Sequence, residues 1–217
     1  MISFKNFSFN YNNNIPLFKD LDLKIKKDQI TVLTGFNGSG KTTICRLIMG
    51  LLKNFSGSLK INGVEQLKCN TLELAEKITY IKQEPTANIV ASFPSEDLDI
   101  WLHKFRTQFS ANSEIINDAL SFFNLIDQKD QPVWELSSGQ LKRIGLAALL
   151  LNLNKYWILD EPTSGLDPAL IGRLIELIEK KKEQKNGILL ISHRFEKFQN
   201  IADRILEIKD KTIREIK

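Results

Sequence analysis

One stretch of the sequence combines glycines, a lysine and hydroxyl side chains at a spacing suited to phosphate. It runs Gly35-Phe36-Asn37-Gly38-Ser39-Gly40-Lys41-Thr42-Thr43. The apolar run 30–33 comes before it and the periodic run 44–49 follows it, which predicts a buried strand, a glycine turn and a helix. Glycines let backbone N–H groups close around an anion, and a helix N-terminus adds partial positive charge. The alternative is a glycine turn with a solvated lysine, but the order of the parts favours a nucleoside triphosphate site.

The side chains of this stretch have separate expected roles. The spacing G-x-x-x-x-G-K-[ST] is that of a P-loop. Lys41 can reach the β- and γ-phosphates as a point charge, and the hydroxyl of Thr42 suits Mg²⁺. We expect the nucleotide to be held by Gly35, Asn37, Gly38, Ser39, Gly40, Lys41, Thr42 and Thr43.

Two carboxylates follow a second apolar run. The run Tyr156-Trp157-Ile158-Leu159 predicts a buried strand, and Asp160 and Glu161 stand at its carboxyl end. Open α/β sheets bind ligands at that end of their strands. Asp160 suits the Mg²⁺ shell, and Glu161 could orient or polarise an attacking water. Such pairs are common on surfaces, so the P-loop earlier in the chain is what makes this pair indicative.

Composition limits the class of protein. The 217 residues allow one large domain or a domain with an inserted lobe, and 30 basic against 26 acidic residues give a net charge of +4. This charge is too small to imply nucleic-acid binding, although a slightly basic face toward anionic lipid would fit equally well. No stretch approaches the roughly 20 apolar residues that cross a bilayer. We therefore expect any membrane passage to be supplied by another chain.

The order of the elements predicts an α/β fold. Residues 1–34 are β-rich, with a polar turn at Asn12-Asn13-Asn14, and are expected to form an N-terminal antiparallel β subdomain. Uninterrupted apolar strands that alternate with helices predict a mostly parallel sheet in a P-loop NTPase core. We expect this core to comprise 1–83 and 152–217, with an inserted α-helical subdomain over 84–151. Pro168 is expected to begin a helix whose lysine run, 180–182, faces water.

A further element opens a predicted helix over 141–151. Glu135-Leu136-Ser137-Ser138-Gly139-Gln140 could be an ordinary helix cap or a second anion site. Together with the run from Ile158 to Pro168 it resembles the signature sequence, Walker B strand and D-loop of the ATP-binding subunit of ABC transporters. Gln83 then matches the Q-loop glutamine and His193 the switch histidine. By itself Tyr11 is either a strand-end aromatic or a base-stacking platform, and the resemblance favours the second role.

The resemblance implies an ATPase with a defined site. ABC subunits act as head-to-tail dimers with two ATP molecules between them, so the P-loop of one copy would face Ser137, Gly139 and Gln140 of the other. His193 would contact the γ-phosphate. The implied catalytic residues are Glu161, His193 and Lys41, and the implied Mg²⁺ residues are Thr42, Gln83 and Asp160.

The resemblance also implies partners and a location. The implied cofactors are ATP and Mg²⁺, and Gln83 would link the Mg²⁺ site to a transmembrane transporter subunit. The second ATPase would be another copy of this chain or a related subunit, with no nucleic acid involved. The expected location is cytoplasmic, on the inner face of the cell membrane.

A narrower resemblance concerns the subgroup. Residues 83–91 and 96–98 are similar to the Q-loop region of energy-coupling-factor ATPases, which power vitamin and transition-metal uptake. Phe93, Trp101 and Phe105 could line a groove for a membrane partner or could simply be core residues of the helical lobe.

Two positions depart from the ABC pattern. Ser138 replaces the usual first signature glycine, which would add strain if that position needs a positive φ. Arg194 replaces the acidic residue that commonly follows the switch histidine.

Another class of function stays open at this stage. An ABC-type ATPase of a soluble assembly machine, without a channel, would carry the same motifs. Repair members of the family need long coiled coils, and no sustained heptads occur here. A simple kinase would give no reason for the element at 137–140.

Overall fold

The computed structural model describes residues 1–11, 16–103 and 113–217, with His103 described by its backbone alone. The predicted turn at Asn12–Asn14 and the predicted groove residue Phe105 lie outside these ranges. The strands are β1 (Ile2–Phe9), β2 (Phe18–Ile25), β3 (Ile30–Gly35), β4 (Phe55–Ile61), β5 (Val64–Glu65), β6 (Ile78–Ile81), β7 (Tyr156–Asp160), β8 (Ile188–Ile191), β9 (Arg204–Lys209) and β10 (Thr212–Glu215). The α-helices are α1 (Lys41–Ile48), α2 (Thr71–Lys77), α3 (Pro94–His103), α4 (Ser113–Phe122), α5 (Ser138–Ala147) and α6 (Pro168–Glu183).

The contacts divide the chain into two compact units. The first unit comprises 1–80, 155–161 and 181–217, and the second comprises 81–154 and 162–180. The predicted subdomain limits at 84 and 151 stay a prediction. None of the described helices is both long and apolar enough to cross a membrane.

A six-stranded sheet forms the centre of the first unit. Its strand order is β10-β9-β3-β8-β7-β6. Strand β3 pairs in parallel with β8 and β9, and β7 pairs in parallel with β8, while β10 is antiparallel to β9. The predicted mostly parallel sheet is confirmed. Since β3 and β7 flank β8 and point the same way, the loops that follow them leave the same edge of the sheet.

The first unit also contains the predicted antiparallel sheet, in the order β2-β1-β4-β5. An Asn-Gly turn joins β4 to β5, with φ of 51° at Asn62 and 85° at Gly63. These positive values suit a two-residue hairpin loop. Buried side chains from both sheets and from α1 form one apolar cluster, so α1 is fixed to the core on which the phosphate loop must rest.

The lysine run at the end of α6 was predicted wrongly at its central position. Lys180 and Lys182 are exposed, but Lys181 is fully buried. Its ammonium lies 4.6 Å from the centre of the Trp157 ring and donates to the carbonyl oxygen of Lys155. The reason is helical periodicity, because position 181 follows the buried Leu177 by four residues and shares its face.

The second unit packs α3, α4 and α5 around buried apolar side chains. Helix α5 begins three residues before the predicted start at 141 and ends at Ala147, short of the predicted end at 151. A separate 3₁₀ turn follows at Leu150–Asn152. Arg143 of α5 donates to the carbonyl oxygens of Phe123 and Asn124 at 3.0 and 2.9 Å, which fixes the chain after α4.

Candidate active site

The loop between β3 and α1 has the shape of a phosphate cradle. The N–H of Ser39 donates to the carbonyl oxygen of Phe36 at 3.1 Å, and Gly40 is the N-cap of α1 with φ of 106°. A β-carbon at Gly40 would lie 2.6 Å from the Cζ atom of Phe18. Only glycine fits there, so the loop can pack directly against the Phe18 side chain of β2.

Lys41 is folded back over this loop. Its ammonium donates to the carbonyl oxygens of Gly35 and Phe36 at 2.7 and 2.9 Å. Burial lowers the pKa of Lys41, and the nearby carboxylates of Glu161 and Asp160 oppose that shift. A partly desolvated cation beside open backbone amides is a site for a polyanion.

Asp160 ends β7 inside the first unit. Its side chain is almost fully buried, and its Oδ2 atom accepts a hydrogen bond from the Tyr80 hydroxyl at 3.5 Å. Burial raises the pKa of Tyr80 well above its usual range, so the phenol keeps its proton and acts as donor. No pattern in the sequence singles out Tyr80, since a tyrosine in a short apolar strand is typical of ordinary core.

Glu161 has an unusual backbone conformation. Its φ is 49°, in the left-handed region that few residues other than glycine adopt. Its N–H donates to the carbonyl oxygen of Ile191 at 2.9 Å. Its Oε1 atom accepts from the backbone N–H of His193 at 2.8 Å and lies 2.9 Å from the Nδ1 atom of the same residue. Two of the three residues predicted to be catalytic are therefore in direct contact, with His193 half exposed and Glu161 buried.

Tyr11 contacts the first turn of α1, directly after the loop. Its hydroxyl lies 3.0 Å from the Oγ1 atom of Thr43, and its ring packs edge-on against Phe9. Among the described residues, Tyr11 is 57% exposed. Stacking on a base stays a prediction.

The signature residues belong to the second unit. Ser137 caps α5, since its Oγ atom accepts from the N–H of Gln140 at 3.2 Å, and the Gln140 Oε1 atom accepts from the N–H of Ser137 at 2.8 Å. Ser138 is the first residue of the helix and is not among the described residues with positive φ. The strain considered for this substitution does not arise.

Comparison with known proteins decides the family. Residues 18–164 match the family model described as "ABC transporter". The chain belongs to the ABC transporter family. It is an ATP-binding cassette with ATPase activity of the ABC type, and the predicted recognition, fold class and enzyme class are confirmed.

Curated relatives of this ABC cassette span nearly its whole length. It is 35% identical to an energy-coupling factor transporter ATP-binding protein, EcfA1, of Ligilactobacillus salivarius, over 97% of this chain and 75% of that one. It is 31% identical to EcfA1 of Streptococcus thermophilus, over 100% of this chain and 79% of the relative. These names agree with the resemblance to energy-coupling-factor ATPases in the Q-loop region.

Solved structures share the fold. CbiO1 of Clostridium perfringens, part of the ABC transporter complex CbiONQ, has a TM-score of 0.79 at 25% identity, over 98% of this chain and 86% of that one. The ATP-binding cassette MJ0796, solved as a dimer in a post-hydrolysis state bound to ADP and Pi, has a TM-score of 0.86 at 24% identity. That match covers 100% of this chain and 98% of the other, and it supports the fold alone.

The residues of the first unit fit a magnesium-bound nucleotide. Thr42 offers a hydroxyl and Asp160 a carboxylate, which are the hard oxygen donors that Mg²⁺ prefers. No group of three or more His, Cys, Asp or Glu side chains that could hold a metal occurs among the described residues. A magnesium ion bound to a nucleotide takes one or two protein oxygens and completes its shell with phosphate and water.

The predicted Q-loop around Gln83 is held in place by residues that the sequence analysis did not single out. Asn88 is buried and donates from Nδ2 to the carbonyl oxygens of Lys82 and Glu84 at 3.0 and 3.2 Å. Lys142 of α5 donates to the carbonyl oxygen of Gln83 at 3.2 Å. An asparagine at the end of a 3₁₀ turn and a lysine in a helix are both common surface residues, so only the fold reveals these contacts.

Proposed function

We propose that this ABC cassette binds two ATP molecules between two subunits, hydrolyses them, and drives transport through a separate membrane protein. The contact between Glu161 and His193 at the end of β7 is the observation that best supports it, since it prepares a carboxylate for an attacking water. The names EcfA1 and CbiO1 among its relatives favour an uptake system of the energy-coupling-factor type, for a vitamin or a metal ion.

The phosphates would be bound by the loop 35–43. Backbone N–H groups and the N-terminus of α1 would hold the oxygens, and the ammonium of Lys41 would move from the carbonyl oxygens of Gly35 and Phe36 to the β- and γ-phosphates. Thr42, Asp160 and Gln83 would hold the Mg²⁺ ion, which supplies charge neutralisation at the phosphates when bound. The ring of Tyr11 would stack on the base.

Hydrolysis would be an in-line attack of water on the γ-phosphate. The Oε2 atom of Glu161 would accept the hydrogen bond of that water, because Oε1 is held by His193. His193 would turn its exposed Nε2 edge to the γ-phosphate. Ser137, Gly139 and Gln140 of a second copy or a related subunit would complete the shell of the same phosphate.

A membrane partner would dock on the second unit. A groove of about 450 Å³ is lined by Val90 and Trp134, whose side chains are 71% and 70% exposed, and by Thr86, Ile89, Ala91, Val133, Leu136 and Leu141. Neither Phe93 nor Trp101 is among its described lining residues. An apolar groove beside the Q-loop suits a helix of a transmembrane subunit, with the cassette held peripherally at the inner face of the membrane.

The substitution Glu161→Gln tests the catalytic role. It keeps the size of the side chain and removes its charge, so turnover of Mg·ATP should fall by roughly 10²–10⁴-fold while ATP binding persists. Steady-state phosphate release and a binding titration measure the two effects. Glu176→Gln, at an exposed position of α6 that pairs with Lys180, is the matched control and should leave both unchanged.

The same variant tests the dimer. With saturating Mg·ATP and its companion subunit, the hydrolysis-deficient protein should sediment as a dimer. Unchanged turnover in Glu161→Gln would remove this residue from catalysis, and single chains alone in the sedimentation profile would exclude the shared site.

A further inference from the structure

A lysine lies almost fully buried in the helix that carries the signature sequence. Lys142 of α5 is 1% exposed. Its ammonium donates to the carbonyl oxygen of Gln83 at 3.2 Å, with a longer contact of 3.5 Å to that of Lys82. A buried cation is costly unless oxygen atoms surround it. These contacts therefore tie the main chain at the predicted metal ligand to the middle of α5.

A buried amide closes the same loop from within. Asn88 accepts from the N–H of Lys82 at 2.8 Å and donates to the carbonyl oxygens of Lys82 and Glu84. With Pro85 at the start of the 3₁₀ turn Pro85–Asn88, these bonds fix the shape of residues 82–88. We therefore expect residues 82–88 to move as one piece.

Helix α5 approaches that amide at a second point. A β-carbon at Gly145 would lie 3.4 Å from the β-carbon of Asn88 and 3.6 Å from its Nδ2 atom. Gly145 follows Lys142 by three residues, so both positions lie on one face of α5. One face of α5 therefore approaches the loop 82–88 at two points within one helical turn, at the Lys142 donor and at Gly145.

We infer that Lys142, Gly145 and Asn88 form a latch that fastens the Q-loop, residues 82–88, to the signature helix α5. The latch makes Lys142 a positioning residue that acts through Gln83. The capping residue Ser137 precedes Lys142 by five positions, about 7.5 Å along the helix. A displacement of the Q-loop therefore moves the start of α5 at Ser137 with it, and the distances between the loop and the helix stay the same. This rests on the proposed function only in assigning Gln83 and Ser137 their roles at the nucleotide.

Hydrogen exchange of the full-length protein without nucleotide tests the latch directly. Lys142→Met keeps the apolar stem and removes the donor, and the amides of 82–89 should exchange about tenfold faster, the effect of losing one charged hydrogen bond. Lys142→Arg, which keeps a donor, should restore most of the protection. Lys155→Met is the matched control, since Lys155 also donates to a carbonyl oxygen, that of Ala75, in the other unit.

A second variant covers the case in which Lys142→Met fails to fold. Asn88→Asp keeps the shape of the side chain and removes the Nδ2 donor, and it should accelerate exchange over the same residues. Unchanged exchange at 82–89 in either folded variant would overturn the latch.

Kinetics separate a positioning role from a general loss of structure. Lys142→Met should lower kcat about tenfold with the nucleotide Kd unchanged. On a Gln83→Ala background it should lower kcat little further, because a residue that acts through Gln83 is not additive with its loss. If the double variant lost kcat by the product of the two single effects, Lys142 would not act through Gln83. If Gln83→Ala alone left kcat unchanged, the assigned role of Gln83 would be wrong, while the exchange result would still decide the latch.

Discussion

The two helices at the predicted anion sites begin in opposite ways. Among the described residues, no side chain caps α1, whose N-cap is Gly40 in a left-handed conformation. Helix α5 begins with a complete capping box between Ser137 and Gln140. The amides of α1 are therefore available to phosphate oxygens, whereas one of the amides of α5 is already bound by its own serine.

This difference extends to the buried polar groups around each helix. In the first unit, Lys41 and Glu161 follow β3 and β7, at the edge of the sheet from which the phosphate loop leaves. In the second unit, Asp97 binds the amides of Val90 and Ala91, and Asn88 binds its own loop. We conclude that the first unit is preorganised for nucleotide and the second is preorganised for its own loops. A phosphate at α5 has to compete with the capping box.

The largest expected effect is on nucleotide binding at α1. Lys41→Ala removes a charge-assisted contact to phosphate, so ATP affinity should fall about 30- to 150-fold. The free energy of unfolding should change by less than about 1 kcal/mol, because Gly35 is half-buried and Phe36 is exposed, so water can replace Lys41 at their carbonyl oxygens. A binding titration and a denaturant melt measure the two quantities. A large loss of stability with unchanged ATP affinity would contradict the conclusion that the first unit is preorganised for nucleotide.

Lys181 extends the comparison, because it is a buried lysine whose ammonium contacts the protein's own groups, the carbonyl oxygen of Lys155 and the ring of Trp157. Burial lowers its pKa to about 7. Between about pH 7 and the usual lysine value near 10.4, the unfolded chain binds more protons than the folded chain. The free energy of unfolding should therefore rise with pH over that window, by up to about 1.4 kcal/mol per pH unit.

Lys181→Met supplies the control for that pH dependence. The variant should lose this rise in stability between pH 7 and pH 9.5, and its ATP affinity should equal that of the unmodified protein. Denaturant melts at the two pH values measure the slope. An equal slope in both proteins would contradict the lowered pKa.

The smallest expected effect concerns the cap of α5. Ser137→Ala should lower the free energy of unfolding by about 1 kcal/mol, and Ser137→Gly by only a few tenths. ATP binding by a single chain should not change, since the proposed role of Ser137 is at the nucleotide of another subunit. A loss of affinity in the isolated chain would place Ser137 at its own nucleotide and break the distinction between the two helix ends.

Sequence reasoning was most accurate where one local rule determined the structure. The P-loop spacing located β3 and α1, and α6 begins at Pro168 as expected, with Asp167 accepting from the N–H of Leu170 at 2.9 Å. It was wrong where burial depended on a partner distant in the chain. Lys181 was assigned to water because its neighbours are lysines, and the limits of α5 were misplaced because its capping box lies outside the apolar run.

The sequence by itself determined the family, and it predicted the phosphate loop and the candidate catalytic residues, since each depends on residue types at short spacings along the chain. The tertiary structure decided which atoms those residues touch. The left-handed Glu161 held by His193, the Tyr80 hydroxyl at Asp160 and the Lys142 ammonium at Gln83 join positions that are 32, 80 and 59 residues apart. Contacts at such separations arise from sheet order and helix packing, which no local pattern specifies.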